Sequence, residues 1–327
     1  MGGTSKGDDL TSLLVFDADQ VRAKLTYEAA IPAVREAMIA LSDGRVRQLL
    51  RSFIGLGEGR TFAIMPAALG ERSVFGAKLI SVFKHADGSK AHEGLVMLFD
   101  PESGAPACLA DAGAVTAIRT AAASALATDV LARAGSDTLA ILGTGLQAKA
   151  HALAIAKVRP LREIRIWGRS GERAETLAAE IWTRTGVVAR PVSLEHAVRE
   201  ADIVCTVTSA IDPILGRDLV SPGTHINVVG SSGPAQAEIA ADLVAASRFI
   251  VDHREHVLAH GGEFLRAKGA GLVGDDHIAA ELGQVLAGAA TGRGADDEIT
   301  LYKSLGHAAQ DVAVTAWLYR DATGRPL

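Results

Sequence analysis

A glycine-rich turn at residues 143–148 combines the residue types and spacing that most directly indicate chemistry. It reads Gly143-Thr144-Gly145-Leu146-Gln147-Ala148, follows the apolar run Leu139–Leu142 and leads into a helical pattern. In this order Gly143 permits a tight turn, Gly145 lets a pyrophosphate approach the backbone, and Ala148 allows close helix–strand packing. The free N–H groups of the helix N-terminus would hold the pyrophosphate, so the turn predicts a dinucleotide site. The alternative is a turn that only joins a core strand to a helix.

The second strand of the same unit indicates which dinucleotide binds. An acidic side chain at the end of that strand accepts hydrogen bonds from the ribose 2′-hydroxyl group and repels a 2′-phosphate. Here Ile164–Trp167 is followed by Gly168-Arg169-Ser170, with Arg173 one turn into the next helix and no acid at the tip. A guanidinium group and a hydroxyl group suit a phosphate, so the sequence favours NADP(H) over NAD(H). The alternative is that Arg169 is an ordinary solvated arginine.

Two cationic residues stand in otherwise apolar stretches. Lys78 lies in the strand-like run Gly76–Phe83, and Arg119 carries the one charge between Ala112 and Thr128. A buried cation without a partner is costly, so each should face an opposite charge or an anionic ligand. The alternatives are a structural ion pair for Arg119 and, for Lys78, a strand-edge position from which the ammonium group reaches solvent.

The elements that must position these residues follow two patterns. Before residue 118, an amphipathic helix at Thr26–Leu41 accompanies strand-like runs, which predicts an antiparallel or mixed sheet packed on that helix. The runs are Leu13–Phe16, Gln48–Gly55, Arg60–Pro66, Gly76–Phe83 and Gly94–Phe99. After a long helix at Ala114–Ala134, strands and helices alternate as far as Phe249–Val251, which predicts a doubly wound parallel sheet.

The C-terminal part is predicted to be loop-like and glycine-rich after Val251. A helix near Ile278–Leu286, the stretch Ile299–Gly306 and a final helix at Ala308–Leu318 follow. The predicted fold class is therefore α/β, with a Rossmann domain at residues 119–304. A mixed-sheet α+β domain is predicted from both chain ends, residues 1–118 and 305–327.

Composition predicts a well-packed globular protein. The 327 residues are 48% hydrophobic and 22% charged, and the net charge of −5 without a basic block argues against a nucleic-acid partner. No uninterrupted apolar run reaches about 18 residues, so no membrane span is predicted. Cys108 and Cys205 lie in apolar surroundings and are interpreted as reduced core residues, and the N-terminal stretch lacks a secretory pattern. We therefore expect a cytoplasmic protein.

Four stretches together resemble the ornithine cyclodeaminase/mu-crystallin family. They are Asp111–Thr128, the turn at Gly143–Ala148, Gly223–Gly230 and Glu298–Gly306. The resemblance covers nearly all of the chain after the first dozen residues. Its most specific part is the Ile-Arg-Thr-Ala-Ala sequence that begins at Ile118, followed by the glycine turn.

The resemblance implies a homodimer of subunits with a Rossmann domain and a dimerisation domain, the latter made from both chain ends. The substrate, a small α-imino or α-amino acid, would lie between the domains beside the nicotinamide. In this family basic residues hold the substrate carboxylate, and by motif these look like Arg51, Lys78 and Arg119. Because Arg45 and Arg47 lie close to Arg51 in the sequence, any of the three arginines could be the relevant one.

The residues expected to bind the cofactor lie at the glycine turn, at the end of the second strand and after later strands. They are Thr120, Gly143, Thr144, Gly145, Leu146, Gln147, Ala148, Trp167, Gly168, Arg169, Ser170, Arg173, Thr206, Val207, Thr208, Val229, Gly230 and Ser304.

Two positions depart from the cyclodeaminase pattern. The family pattern places an Asp in the loop after the His225–Gly230 stretch, where this chain has Ser232, and a Glu in the strand ahead of Met65, where it has Ala63. A serine is no general base at neutral pH unless it is activated, so deamination of ornithine is disfavoured. A serine in this loop is similar to the mu-crystallin-like ketimine reductases, and Ser232 joins Lys78 and Arg119 as a catalytic candidate.

The sequence therefore predicts an NAD(P)H-dependent reductase of cyclic ketimine carboxylates. Δ1-Piperideine-2-carboxylate or Δ1-pyrroline-2-carboxylate would give L-pipecolate or L-proline, with Lys78 either joining the carboxylate clamp or protonating the imine nitrogen. The alternatives are an ornithine cyclodeaminase, a related alanine or iminosuccinate type of dehydrogenase, and a protein that binds NADPH without turnover. The presence of Lys78 and Arg119 favours an enzyme over a binding protein.

Other histidines carry weaker indications. His253, His256 and His260 lie near Glu255 and Glu263, but their spacing fits no His-Glu-x-x-His motif, so we expect no metal site. His85 and His92 flank a polar turn, and either could contact the substrate.

Overall fold

The computed structural model describes residues 13–58, 60–84 and 90–327, except for the side chains of residues 84 and 90–92. The chain divides into two compact units. The mixed-sheet unit contains the stretch that ends at Ala33, Gly44–Thr116 and His307–Leu327, and the parallel-sheet unit contains Val34–Asp43 and Ala117–Gly306. Compactness alone assigns no role to a domain, so the functional domain boundaries at residues 118/119 and 304/305 stay a prediction.

The mixed-sheet unit is built on one β-sheet. These are β1 (Leu14–Phe16), β2 (Arg47–Gln48), β3 (Ser52–Gly57), β4 (Arg60–Ala68), β5 (Phe75–Lys84), β6 (Lys90–Phe99) and β7 (Pro106–Asp111). Among the described residues the order is β1-β7-β6-β5-β4-β2, with β3 paired to β4 beside this path. Only β1 and β7 pair in parallel in this part of the chain, so the predicted mixed sheet is confirmed.

Two predictions within this sheet were wrong. The run Gln48–Gly55 is two strands, because the pairing with β4 stops after Gln48 and resumes at Ser52, further along β4, as β3. Strand β7 was missed because it is short and its burial does not alternate regularly.

Three helices accompany the mixed sheet: α1 (Ala18–Lys24), the start of α2 (Tyr27–Ser42) and α11 (Ala308–Thr323). Helix α1 begins with a capping box, in which Asp17 accepts from the Gln20 N–H at 2.8 Å and Gln20 accepts from the Asp17 N–H at 3.0 Å. Helix α11 packs across β4, β5 and β6 and is buried along most of its length. The core of this unit therefore lies between α11 and the sheet.

The parallel-sheet unit has a doubly wound architecture. Its strands are β8 (Thr138–Leu142), β9 (Glu163–Trp167), β10 (Val188–Pro191), β11 (Ile203–Thr206), β12 (His225–Val228), β13 (Arg248–Val251), β14 (Ile278–Glu281) and β15 (Thr300–Lys303). In the described chain their order is β10-β9-β8-β11-β12-β15-β13-β14, and all neighbours are parallel. The predicted Rossmann sheet is confirmed. The order reverses between β8 and β11, and ligands bind at the carboxyl edge of such a switch point.

The helices of this unit cover both faces of the sheet. They are α3 (Ala112–Leu131), whose first turn belongs to the other unit, α4 (Leu146–Ile155), α5 (Gly171–Thr185), α6 (Leu194–Val198), α7 (Ala241–Ala245), α8 (Arg254–His260), α9 (Gly262–Gly269) and α10 (Leu282–Leu286). Because of this cover, β8, β11, β12 and β15 are buried at every residue, as is typical of a parallel sheet covered on both faces.

The prediction for the chain after Val251 was wrong in two respects. The supposed loop contains α8 and α9, joined at Gly261 and Gly262. A Cβ at Gly262 would lie 1.8 Å from the Gln236 carbonyl oxygen, so this glycine serves close packing and not a flexible loop. The predicted helix at Ile278–Leu286 is strand β14 followed by α10, an ambiguity that short apolar runs carry by nature.

Helix α3 is the one helix in the described part of the chain that is long and apolar enough to cross a membrane. Within its most apolar window 83% is buried inside the protein, as in a core helix. Both cysteines are free and buried, as predicted, and burial raises the pKa of each thiol to about 12.

Candidate functional site

The turn after β8 is pressed between two neighbouring strand ends. The Gly143 N–H donates to the Trp167 carbonyl oxygen at 2.8 Å, and Gly143 has a φ of +135°. A Cβ on Gly143 would lie 2.7 Å from the Val207 carbonyl oxygen, and one on Gly168 would lie 2.5 Å from Thr144 Cγ2. These contacts with β9 and with the segment after β11 make glycine necessary at both positions.

The N-terminus of α4 opens onto a cavity. Gly145 is the N-cap residue, and no side chain in the described chain caps the helix there. A Cβ on Gly145 would meet nothing within 4 Å. The cavity has a volume of about 420 Å³ and is lined by the turn and by α5, including Arg173 and Thr176. The uncapped N–H groups and the positive end of the helix dipole suit an anion.

Several buried polar atoms in the described part of this unit lack a hydrogen-bond partner, among them one atom each of Thr120 and Gln147. Thr120 Oγ1 and Gln147 Oε1 have no hydrogen-bond partner within the residues that the structure describes. Buried polar atoms are nearly always satisfied, so a ligand that completes them is a natural explanation. Together with the open helix N-terminus, they make the residues present a good fit to a dinucleotide.

The tip of β9 presents cationic and hydroxyl groups. Arg169 and Arg173 are exposed, and Ser170 caps α5 because its Oγ accepts from the Arg173 N–H at 3.3 Å. The Ser170 hydroxyl can still donate its proton to a ligand. Glu172 and Lys149 line the same cavity, and Lys149 pairs with Glu180 at 3.0 Å.

The buried carboxylate of Glu238, which the sequence analysis missed, connects the loops after β11 and β12 through hydrogen bonds. Glu238 Oε1 accepts from the Thr208 N–H at 2.6 Å and from Thr208 Oγ1 at 2.7 Å. Its Oε2 accepts from the Gly230 N–H at 2.6 Å and from Thr206 Oγ1 at 2.8 Å. Burial raises the pKa of Glu238, against which the hydrogen bonds from Thr208 act. The predicted cofactor residues Thr206 and Thr208 thus direct their hydroxyl groups to Glu238.

A second buried network supports the first. Lys303 Nζ lies 2.8 Å from Glu263 Oε2 and donates to the backbone oxygen and Oγ of Ser231, both at 2.7 Å. Glu263 Oε1 accepts from the Ser231 hydroxyl and from the Glu238 N–H. Burial alone would raise the pKa of Glu263, but the charge and hydrogen bond of Lys303 outweigh it and lower the pKa. Charge pairing therefore anchors the segment that leads to Glu238.

Two buried histidines in the same unit are structural. Burial lowers the pKa of His151 to about 4 and that of His225 to about 3, so both rings are neutral at neutral pH. His151 Nε2 lies 2.9 Å from Ser124 Oγ and joins α4 to α3.

Lys78 is buried in the mixed-sheet unit and not at a strand edge. Strand β5 lies between β4 and β6, and Lys78 is 3% exposed, so the alternative of an ammonium group in solvent was wrong. Its Nζ donates to Thr116 Oγ1 and lies 3.3 Å from Asp311 Oδ1. Asp311 is fully buried on α11. It is a charge within an apolar helix, so the rule that identified Lys78 could have found it too.

The other predicted substrate residues differ in exposure. Arg119 is 5% exposed on α3, and Arg51 is half-buried in the link between β2 and β3. Arg47 forms an exposed ion pair with Glu71 at 2.7 Å. Ser232 is exposed, whereas its neighbour Ser231 is buried in the Lys303 network.

The remaining predicted cofactor residues lie along the carboxyl edge of the parallel sheet. Val207, Val229 and Ser304 are buried where β11, β12 and β15 end. Among the described residues no cluster of three or more metal-ligating side chains exists, and His253 and His256 instead pack edge to face. His85 and the side chain of His92 lie outside the described residues.

These features define a dinucleotide-binding protein with a Rossmann fold, whose switch point carries the glycine turn and whose second unit buries a lysine. The chain belongs to the ornithine cyclodeaminase/mu-crystallin family, whose sequence profile matches residues 13–325. The family resemblance predicted from the motifs is therefore confirmed.

Similar proteins cover nearly the whole chain. A ketimine reductase mu-crystallin of Rattus norvegicus is 36% identical over 311 residues, 93% of this chain and 96% of the relative. A Delta(1)-pyrroline-2-carboxylate reductase of Bacillus cereus is 34% identical over 318 residues, 96% of this chain and 98% of the relative. The solved structure of Thermococcus litoralis Delta(1)-pyrroline-2-carboxylate reductase with NADH and L-proline has a TM-score of 0.90 at 29% identity, covering 96% of this chain and 99% of that one.

The Glu238 contacts predict that Glu238→Gln destabilises the protein. Each carboxylate oxygen accepts one backbone N–H, so either orientation of the amide sets its NH₂ group against a backbone donor. We expect a loss of about 1–3 kcal/mol in the free energy of unfolding, measured by urea denaturation at neutral pH. The exposed Glu175→Gln on α5 is the matched control. Equal unfolding midpoints for the two variants would contradict the role of the carboxylate.

Proposed function

We propose that this protein is an NAD(P)H-dependent reductase of cyclic ketimine carboxylates. Δ1-Piperideine-2-carboxylate and Δ1-pyrroline-2-carboxylate are the substrates, and L-pipecolate and L-proline are the products. The observation that carries the proposal is the pair of buried cations, Lys78 and Arg119, in a chain that also has the glycine turn of a dinucleotide site. Relatives that carry the names of these two activities support the choice of substrate.

In this reaction the protein mainly supplies charged groups and holds the substrate in position. The nicotinamide, when bound, supplies the hydride that adds to C2 of the imine. Arg51 and Arg119 hold the substrate carboxylate, because a guanidinium group matches a carboxylate in a two-point hydrogen bond. Lys78 either joins this clamp or gives a proton to the imine nitrogen as the C=N π bond breaks, which yields the secondary amine. Asp311 and Thr116 orient the Lys78 ammonium group.

An ornithine cyclodeaminase is the alternative, and two residues disfavour it. Cyclodeaminases use acids at the positions of Ala63 and Ser232, as the family resemblance implies. Ala63 is fully buried, and Ser232 is exposed with no hydrogen bond to a base among the contacts that the structure describes. Without an activating base a serine does not abstract protons at neutral pH. A dehydrogenase of the alanine or iminosuccinate type, or a protein that only binds NADPH, is a further alternative.

NADP(H) is the proposed cofactor. The solved relative binds NADH, so the choice in this chain depends on the residues at the tip of β9. Exposed Arg169 and Arg173, with the free donor of the Ser170 hydroxyl, suit a 2′-phosphate. Two acids, Glu172 and Glu180, line the same cavity, and an acid near the ribose favours a 2′-hydroxyl group.

A homodimer is proposed as the assembly, with a cytoplasmic location. All six residues of β3 are exposed, and Phe53, Ile54 and Leu56 are each more than half exposed (55%, 54% and 51%). In the described chain β3 pairs only with β4, so its other edge is available for pairing. An apolar edge strand of this kind fits the same strand of a second copy. Light scattering, which measures the molar mass in solution, tests this proposal, and a homodimer should have twice the mass of the single chain.

An imino-acid panel tests the activity. We expect NADPH oxidation with the two cyclic ketimine carboxylates and at least about tenfold lower kcat/KM with acyclic imino acids formed from pyruvate or oxaloacetate and ammonia. Ornithine with NAD is the contrasting reaction. Ammonia release from ornithine would establish the cyclodeaminase, and NADPH binding without oxidation of any member would establish the binding protein.

Replacement of Arg169 by Asp tests the cofactor. Arg169→Asp should raise the KM for NADPH by about tenfold or more and change that for NADH much less, because the carboxylate repels a 2′-phosphate. The exposed Arg190→Asp on β10 is the control for added negative charge. Equal effects of Arg169→Asp on both cofactors would refute the NADP assignment.

Lys78 is tested by removing its charge together with that of its partner. Lys78→Met with Asp311→Asn removes both charges of this ion pair, so folding is less threatened than in Lys78→Met alone, which leaves the Asp311 charge behind. We expect kcat to fall by about 10²–10⁴-fold with the dissociation constant for NADPH nearly unchanged. Lys268→Met, at an exposed ion pair, is the control. A fall in kcat would support proton donation, a rise in KM alone would support the clamp, and normal turnover would remove Lys78 from the reaction.

A further inference from the structure

The guanidinium group of Arg119 lies against the backbone of Gly306. A Cβ built on Gly306 would be 2.5 Å from Nη1, 2.9 Å from Nη2 and 3.1 Å from Cζ of Arg119. Carbon atoms do not approach nitrogen this closely, so any side chain at residue 306 would take the place that the guanidinium group occupies. Gly306 also has a φ of +81°, in the region that favours glycine. Glycine is thus required at residue 306 for two separate reasons.

The backbone at Gly306 is held in place from its other side. Asp252 is fully buried, and its Oδ2 accepts from the Leu305 N–H at 2.6 Å and from the Gly306 N–H at 2.8 Å. The Asp252 N–H donates in turn to the Lys303 carbonyl oxygen at 3.1 Å. Charge-assisted hydrogen bonds to two successive backbone amides resist movement of this turn. A side chain added at residue 306 would therefore displace the flexible end of Arg119 and not the turn.

We propose that Gly306 and Asp252 are positioning residues that set the orientation of the Arg119 guanidinium group towards the substrate carboxylate. The inference rests on the proposed function, in which Arg119 binds that carboxylate. A two-point guanidinium–carboxylate contact depends on orientation, and a displacement of about 1 Å can cost a large factor in rate. The close contact with Gly306 limits where the guanidinium group can lie, which would favour the binding geometry before the substrate arrives.

Gly306→Ala is the first test. It should raise the KM for Δ1-pyrroline-2-carboxylate by about tenfold or more, with a smaller change in kcat at saturation and an unchanged dissociation constant for NADPH. Gly324→Ala is the matched control, because Gly324 has a φ of +70° and open space around its Cβ position, so it carries the backbone strain alone. An equal and small effect of both variants on KM would overturn the proposal.

A double-mutant cycle separates displacement of Arg119 from backbone strain. Arg119→Lys removes the branched group that the new Cβ would meet, so Gly306→Ala should raise KM little further in that background. Full multiplication of the two single effects would overturn the positioning role alone. A normal KM in Arg119→Lys would instead refute a two-point contact between Arg119 and the substrate carboxylate and, with it, the positioning role.

Asp252→Asn tests the same positioning of Arg119 without changing Gly306, and it serves as the test if Gly306→Ala does not fold. The amide keeps the shape but loses the charge of the acceptor that holds Leu305 and Gly306. We expect a KM increase of about threefold or more for the imino acid and an unchanged dissociation constant for NADPH. An unchanged KM would exclude Asp252 from positioning, and equal losses of substrate and cofactor affinity would indicate a general loss of structure.

Discussion

The carboxyl edge of the parallel sheet depends on one buried carboxylate. Strands β11 and β12 end side by side, where Glu238 accepts from the backbone amides of Thr208 and Gly230, and the Gly230 N–H also donates to the Thr206 carbonyl oxygen at 3.2 Å. A Cβ on Gly230 would lie 2.5 Å from Glu238 Oε1, so the glycine admits the carboxylate and the carboxylate shapes the loop. Since the turn at Gly143 packs on Val207 in the segment after β11, this network also reaches the turn that would hold a pyrophosphate.

Each unit stabilises its buried lysine with a buried acid, and the two pairs have different consequences. Lys303 and Glu263 bond to Ser231 and to the Glu238 backbone, so their hydrogen-bonding capacity is directed to the protein itself. Lys78 and Asp311 lie 3.3 Å apart, with Thr116 as the further partner of the ammonium group. Breaking a buried pair costs several kcal/mol because the remaining charge is left unpaired. These charges are therefore ordered before any ligand binds, which is the condition for electrostatic preorganisation.

The family accommodates more than one reaction on this frame, so the outcome depends on a few positions. The family resemblance implies that cyclodeaminases carry acids at the positions of Ala63, which is paired within the sheet, and of Ser232, which lies on an exposed loop. The two cations, by contrast, depend on specific neighbours. Lys78 pairs with the acid Asp311 on α11, and the Arg119 guanidinium group lies where a side chain at Gly306, after β15, would otherwise be. The surroundings of both cations are thus set by packing within the fold.

The sequence by itself determined the Rossmann order, the glycine turn, the family and the two cations in apolar surroundings, because each of these is a local pattern. A strand, a turn and a helix follow one another within about 20 residues, and a charge among alanines stands out without any knowledge of the fold. Only the tertiary structure revealed Glu238, Asp252 and the pairing of Asp311 with Lys78, since these partners are far apart in the sequence. It also decided that Ile278–Glu281 is a strand, because pairing with β13 outweighs the ambiguous local preference of a short apolar run. Burial and partner identity are properties of packing, and for that reason local sequence does not specify them.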